Sequence, residues 1–359
     1  MERADRAVGN VDGQMSSPAG PWVVIVGMHR SGTSAVTGAI GALGFNIVSP
    51  DDRLSPHESN PEHWESLSVL LHSDAVLSHF GGTWDAPPAL PEGWHTTAGL
   101  PSLADAAQAL ATAYPEAGPS VWKDPRICLL LPYWRQVLRE PMAAVLMWRS
   151  PLAVARSLQR RDGSPLAYGV ALWERYNRSA IANLAGTDVY VLDYDALVED
   201  PGKSVRGLTA WLRSIGTFDA MPPWDEERAL SAVTSGMRHQ SVSVAGEDDS
   251  LLLDEQRQLV EYLVGAAGGH RGLPGLSGPE SPWTGAMLDS RHAASLLELR
   301  KMERRWQHSE AERDWFASAL DESRMQLANL KGSASWRVTA PLRSLSTLKD
   351  RKVPPSESP

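Results

Sequence analysis

Apolar residues in this chain gather into a few continuous runs, and amphipathic stretches separate them. "WVVIV" from Trp22, "AAVLMW" from Ala143 and "VYVL" from Val189 have the length and unbroken apolar character of strands buried on both faces. "SVW", just before Lys123, is a shorter candidate. Apolar positions at helical spacing follow over roughly 33–44, 63–80, 102–113, 126–139, 151–160, 165–184 and 202–215. Strand followed by helix, repeated along the chain, predicts an α/β fold with a parallel sheet flanked by helices. Ligands in such sheets sit at the carboxyl ends of the strands. Chemistry is therefore expected in the loops that open at Gly27, Lys123 and Arg149. No internal repeat is visible.

The pattern also divides the chain. Residues 1–20 carry no apolar core and read as disordered, and 21–264 reads as one domain. "GAAGGHRGLPGLSGPESPWTG", residues 265–285, has the composition of a Gly/Pro/Ser linker and marks a domain boundary. Residues 286–330 are helical in composition, with Leu299, Met302, Trp306, Phe316, Leu320, Leu327 and Leu330 on a seven-residue seam that Ser309, Arg313 and Ser323 interrupt. A coiled coil or helical hairpin follows, a candidate for self-association. Residues 331–359 form a basic tail. Six Lys and Arg face Asp350 alone between 331 and 352, with apolar residues interspersed, so peripheral membrane contact and a solvated tail are both open.

Composition narrows the function classes. The 359 residues include 43 acidic and 34 basic side chains, for a net charge of −9, which argues against a nucleic-acid coat but not against a local cationic pocket. A single cysteine, Cys128, excludes an intramolecular disulfide and a cysteine-rich metal site. No run reaches the roughly 20 apolar residues of a membrane-spanning helix. The expectation is a soluble, cytoplasmic protein with no nucleic-acid partner and no metal. Fourteen tryptophans stand against four phenylalanines; most are expected in the core, and an aromatic surface for a sugar or adenine ring is the other reading.

The first loop carries the sharpest signal. In "VVIVGMHRSGTSAV" the two glycines, Gly27 and Gly32, are spaced as in a nucleotide-binding phosphate loop. Thr33 stands where the lysine belongs, and Ser34 follows. Such a loop still offers backbone N–H groups at a helix start to an anion, with Thr33 or Ser34 as hydroxyl donors and Arg30 as the cation. A plain strand–turn–helix corner is the alternative. "GMHRSGTS" resembles the 5′-phosphosulfate loop of the sulfotransferase superfamily, whose members use 3′-phosphoadenosine-5′-phosphosulfate and whose loop places a basic residue just before Ser-Gly-Thr. The resemblance implies that Arg30, Ser31, Gly32, Thr33 and Ser34 bind the 5′ end of that co-substrate.

A second motif is similar to the same family. Its 3′-phosphate site is an Arg after a strand, a Pro two residues later and a Ser eight later; Arg149, Pro151 and Ser157 in "WRSPLAVARSL" stand at those spacings. A guanidinium suits a phosphate, and Pro151 suits a first helical turn. Looser likenesses follow at "VWKDPR", 121–126, and "DYDALVEDP", 193–201. The family's cytosolic branch has Lys-Thr-His where this chain reads Lys123, Asp124, Pro125, so the histidine base of that branch is absent. Asp124 also fits a helix cap. Read apart from the family, Asp193 is a candidate magnesium carboxylate of an ATPase.

Transfer of a sulfuryl group needs neutralised charge on the transferred and leaving groups and a base for the acceptor proton. Arg30 is expected at the leaving phosphate and Lys123 at the sulfuryl oxygens. For the base, relatives acting on carbohydrate or tyrosine use a Glu shortly after the first helix. Here "SPHESNPEHWESL" offers Glu58, Glu62, His63 and Glu65. Glu65 is the leading candidate, with Glu62, His63 and Asp124 open. Asn60-Pro61 reads as a turn opening a helix that would put Glu62 and Glu65 on one face. Arg238 and His239 in "SGMRHQS" either complete the site or lie on a solvated loop. The resemblance, over roughly 21–240, implies a sulfotransferase with a hydroxyl acceptor. The tail "SASWRVTAPLR" resembles stretches found on bacterial polysaccharide enzymes and points to a carbohydrate or glycolipid. An atypical P-loop kinase or ATPase, and a non-catalytic scaffold of a polysaccharide assembly complex, are the rival readings.

Overall fold

The computed structural model describes residues 20–55, 63–138, 141–218, 224–237 and 252–289. Along the chain run β1 (Trp22–Val26), α1 (Thr33–Ala42), α2 (Leu67–His79), α3 (Leu103–Ala113), β2 (Ser120–Lys123), α4 (Ile127–Trp134) and β3 (Met142–Trp148). They are followed by α5 (Pro151–Asp162), α6 (Leu166–Asn183), β4 (Asp188–Asp193), α7 (Tyr194–Glu199), α8 (Pro201–Ser214), α9 (Glu226–Met237), α10 (Asp254–Gly265), β5 (Gly268–Arg271) and α11 (Pro282–Leu288). The sheet order is β2-β1-β3-β4-β5. The first four strands are parallel, with Val24 opposite Trp122 on one side and Ala144 on the other, and β5 closes the edge antiparallel to β4. The protein is α/β with a mostly parallel sheet, as the alternation of runs predicts.

Both faces of the sheet are covered, which is why its strands are apolar without alternation. Along β1, Trp22, Val24 and Val26 join one core with Trp122, Trp134 and Trp173, while Val23 and Ile25 join another with Ile40, Leu208 and Leu212. Seven of the tryptophans are buried, and only Trp283 is largely exposed among the described residues.

The chain leaves β1 for β2 on one side and then crosses to β3 on the other. The strand order thus reverses between β1 and β3, the place where α/β sheets open a crevice at their carboxyl ends. Three loops meet there: those after β1, β2 and β3.

Two expectations need correction. The stretch 265–285 is not a linker: it holds β5 and opens α11, and it is tied to α6. Glu174, fully buried, accepts hydrogen bonds from the Ser281 N–H (2.9 Å) and the Thr284 hydroxyl (2.7 Å), and Arg175 pairs with Glu280 at 2.9 Å and Asp289 at 2.6 Å. Glycine and proline content reflects tight turns there, not freedom. Nor does a helix begin at 63. Ser66 caps α2 by accepting from Val69 N and is itself extended, bridged antiparallel to Arg53, and 63–65 hold no helix. Glu65 therefore precedes the helix. Glu58, Glu62, Arg238, His239, residues 1–19 and the segments 290–330 and 331–359 lie outside the described residues.

Candidate functional site

The loop between β1 and α1 is shaped by its two glycines for different reasons. A Cβ on Gly27 would lie 2.4 Å from the Met147 carbonyl oxygen on β3. Gly32 sits at φ 85°, and a Cβ there would lie 2.2 Å from the Tyr194 ring. Gly32 occupies the N-cap of α1 and offers no capping side chain, so the first amides of the helix are left facing the loop. Arg30, at φ 71°, is the sole positive-φ residue other than glycine among the described residues. That backbone region costs a non-glycine residue of this kind about 1–3 kcal/mol. The Ser31 hydroxyl is buried in the loop without a hydrogen-bond partner. A buried donor, backbone strain and an uncapped helix start fit an oxyanion better than they fit a plain corner.

The loops after β1 and β3 meet through side chains. Arg30 Nε donates to the Ser157 hydroxyl at 2.8 Å, across 127 residues of sequence. Ser157 lies on α5, which Ser150 caps and Pro151 opens. Arg149, buried at the end of β3, lays its guanidinium over the Tyr194 ring at 4.4 Å, the ring that abuts Gly32. Burial, and then the nearby Arg161 and Arg149 cations, pull the Arg30 guanidinium down to about 10. A bound anion would relieve that crowding.

A cavity of about 700 Å³ opens beside this cradle. Arg30, Gly32, Thr33, Ser34, His63, Glu65 and Lys123 all line it, together with His29, Arg53 and Arg161. Lys123, at the end of β2, donates to the Ser34 hydroxyl at 3.3 Å and makes a short buried ion pair with Glu65. His63 Nδ1 meets the other oxygen of Glu65 at 3.1 Å. Burial pushes the Glu65 carboxyl up, but Lys123 and His63 outweigh it and hold it well below the usual carboxylate range. The carboxylate is thus ionised and aligned by two partners.

Asp124 falls elsewhere. It does not line the cavity; its Oδ1 accepts from the Arg126 N–H at 2.9 Å and the Arg126 guanidinium at 3.3 Å, and Arg126 pairs onward with Asp74 at 2.6 Å. Burial raises its pKa despite Arg126. The fully buried aspartate holds the turn that leads into α4, but it is not the helix cap expected as its alternative: α4 begins at Ile127, with Arg126 in the cap position. Asp193 ends β4, two strands from β1, and accepts from the Asp195 N–H at the start of α7.

Three cavity residues went unremarked in the sequence. His29 precedes Arg30 in the loop; its ring packs tilted against Trp84 with centroids 4.4 Å apart, and its Nε2 is buried without a hydrogen-bond partner. Burial, then Arg126 and Arg161, hold it neutral, well below its ordinary value. Arg161 ends α5 and lies 5.0 Å over Trp84, and Arg53 lies 5.1 Å over Trp64. The signal for His29 was its place inside the loop. Nothing in "DDRLS" or "QRRDG" distinguishes Arg53 or Arg161 from surface charge.

Fold and site together define an α/β protein with a glycine-shaped loop after its first strand and a cavity lined by cations at the carboxyl edge of its sheet. Two solved structures are similar to the chain. The sulfotransferase domain from the Synechococcus PCC 7002 olefin synthase is 18% identical with a TM-score of 0.37, covering 69% of this chain and 96% of that one. The sulfotransferase domain from the curacin biosynthetic pathway is 13% identical with a TM-score of 0.31, covering 78% and 98%. No protein-family model and no curated protein matches the chain. The α/β class rests on the sheet itself.

Proposed function

We propose that the protein is a sulfotransferase that moves a sulfuryl group from 3′-phosphoadenosine-5′-phosphosulfate to a hydroxyl of a carbohydrate or glycolipid. The observation that carries this reading is the Arg30–Ser157 hydrogen bond at 2.8 Å, which joins two phosphate-type motifs far apart in sequence. An ordinary nucleotide loop has no use for the second motif.

In this reading Arg30 and the first amides of α1 hold the 5′ phosphate, and Arg149 and Ser157 take the 3′ phosphate. The donor, when bound, supplies a sulfuryl group on a phosphate leaving group. Lys123 then exchanges part of its contact with Glu65 for the sulfuryl oxygens. Glu65, ionised and aligned by His63, accepts the acceptor's hydroxyl proton as the oxygen attacks. A weakly basic carboxylate is adequate for this step, because the proton is lost as the new S–O bond forms and acidifies it.

Calorimetry tests the reading. Adenosine 3′,5′-bisphosphate is expected to bind more tightly than 5′-AMP or magnesium ATP. Arg149→Ala is expected to erase that advantage, costing about 2 kcal/mol or more, some thirtyfold in affinity. Preference for magnesium ATP, or a bisphosphate affinity indifferent to Arg149→Ala, would overturn it.

A further inference from the structure

The cavity holds more positive charge than the cradle accounts for. Arg30, Arg53, Lys123 and Arg161 line it against the carboxylates of Glu65 and Asp162. Glu65 is taken by Lys123, and Asp162 binds Arg161 through two hydrogen bonds of 2.6 and 2.7 Å. Arg30 belongs to the cradle. Arg53 remains, and no carboxylate pairs with it among the described residues.

The surroundings of Arg53 are built to hold it there. Leu54 N donates to the Glu65 carbonyl at 2.9 Å, and Leu67 N to the Asp52 carbonyl at 2.7 Å, so Arg53 sits on a short ladder directly across from Ser66. Its backbone is thereby about 5 Å from that of Ser66, the residue after Glu65. Asp52, the nearest buried carboxylate in sequence, does not answer Arg53. It accepts from the Ser66 hydroxyl and from both the N–H (3.2 Å) and the hydroxyl (2.5 Å) of Ser68, which locks the ladder. Trp64 supports the guanidinium from beneath at 5.1 Å. Stacking occupies the flat face of a guanidinium and leaves the N–H groups at its edge to make in-plane hydrogen bonds with an oxyanion. A half-buried cation with fixed backbone, one face covered and no acidic partner among the described residues is the arrangement of an anion reader.

We propose that Arg53 recognises an oxyanion on the acceptor, so that the substrate class is an anionic hydroxyl compound, an acid sugar or a sugar phosphate, and not a neutral glycoside. The inference rests on the sulfotransferase reading for the word acceptor, since it places the hydroxyl at Glu65 and the anion at Arg53, and both residues line the same cavity. The shared chemistry is a carboxylate or phosphate near the reacting hydroxyl. The charge also discriminates: a neutral sugar would leave the Arg53 edge without an anionic partner beside Lys123.

The test is calorimetric. Protein saturated with adenosine 3′,5′-bisphosphate is titrated with methyl β-D-glucuronide, glucose 6-phosphate and methyl β-D-glucoside, as wild type and as Arg53→Gln. One of the charged probes is expected to bind at least tenfold more tightly than the glucoside, and its identity separates carboxylate from phosphate. Arg53→Gln is expected to abolish the preference while its bisphosphate affinity stays within twofold of wild type, which reports an intact fold. If neither charged probe binds better than the glucoside, or the preference survives Arg53→Gln, the proposal is wrong. Failure of the wild type to take up the bisphosphate would instead sink the sulfotransferase reading. The same three titrations on ligand-free protein would then still decide the role of Arg53.

Discussion

Arg30 is a residue placed against its own stability. It holds a left-handed backbone, is partly desolvated, and sits among Arg149 and Arg161. Asparagine tolerates that backbone far better than arginine. Arg30→Asn is therefore expected to unfold at an equal or higher denaturant midpoint than wild type, while losing at least thirtyfold in bisphosphate affinity. A drop in stability alongside the lost affinity would mean that the Ser157 hydrogen bond outweighs the strain. Gly32→Ala should behave in the opposite way. The backbone term alone costs about 1–3 kcal/mol, and the Tyr194 ring adds to it, so urea unfolding should report a clear loss. His29 supplies a pH signature. Its imidazole is held neutral in the fold but protonates near its ordinary value of 6.5 in the unfolded chain. The unfolded state thus binds more protons below pH 6.5, and stability is whole above that pH and falls as pH drops beneath it. His29→Gln should flatten the decline between pH 6.5 and 5; an unchanged slope would remove His29 from that role.

At the scale of elements, the Lys123–Glu65 pair ties β2 to the extended segment before α2. Breaking one side of a buried pair strands the other charge, at a typical cost of about 3–5 kcal/mol. Glu65→Gln is expected to lose stability of that order together with transfer, and Glu65→Gln with Lys123→Met to recover much of the stability but none of the transfer. Recovered transfer in the double variant would show that Glu65 acts through Lys123 alone. The sign of the acid response follows from the lowered Glu65 carboxyl. Its stabilisation is complete above the ordinary carboxyl value of 4.5 and is lost as pH falls below it toward the folded-state value.

For the whole molecule, the carboxyl-side limit of the folded core is the practical question. Ending the chain at Val264 removes β5 and α11 and strands Glu174 and Arg175, which are buried and bonded to residues 280–289. Such a truncation should fail to fold or melt many degrees lower. Ending it at Asp289 keeps every one of those contacts, and the thermal midpoint should stay within a few degrees of the full chain. No helix among the described residues is long and apolar enough to cross a membrane. The parallel strands, helices α1–α6 and α8 and the shape of the first loop were legible in the sequence, because burial on both faces leaves continuous apolar runs and a tight loop demands glycine; α7, α9 and α10 were not foreseen. The edge strand β5, "GGHR", left no such trace, since it is glycine-rich and its residues alternate between half-buried and exposed.

Local spacing was sufficient to single out the loops after β1 and β3, because each pattern is confined to one strand end and the turn and first helical residues after it. Their meeting was not local. The reversal of strand order between β1 and β3 brings Arg30 to Ser157, and no pattern within either segment encodes that approach. Tertiary structure likewise separated Lys123 from its neighbour Asp124: one reaches into the cavity and the other turns to the N–H and guanidinium of Arg126 in the turn before α4, a choice made by the packing around each residue. It also took Arg53 and Arg161 from the crowd of surface charge, because a cation becomes informative only when the shape of a cavity shows what it faces.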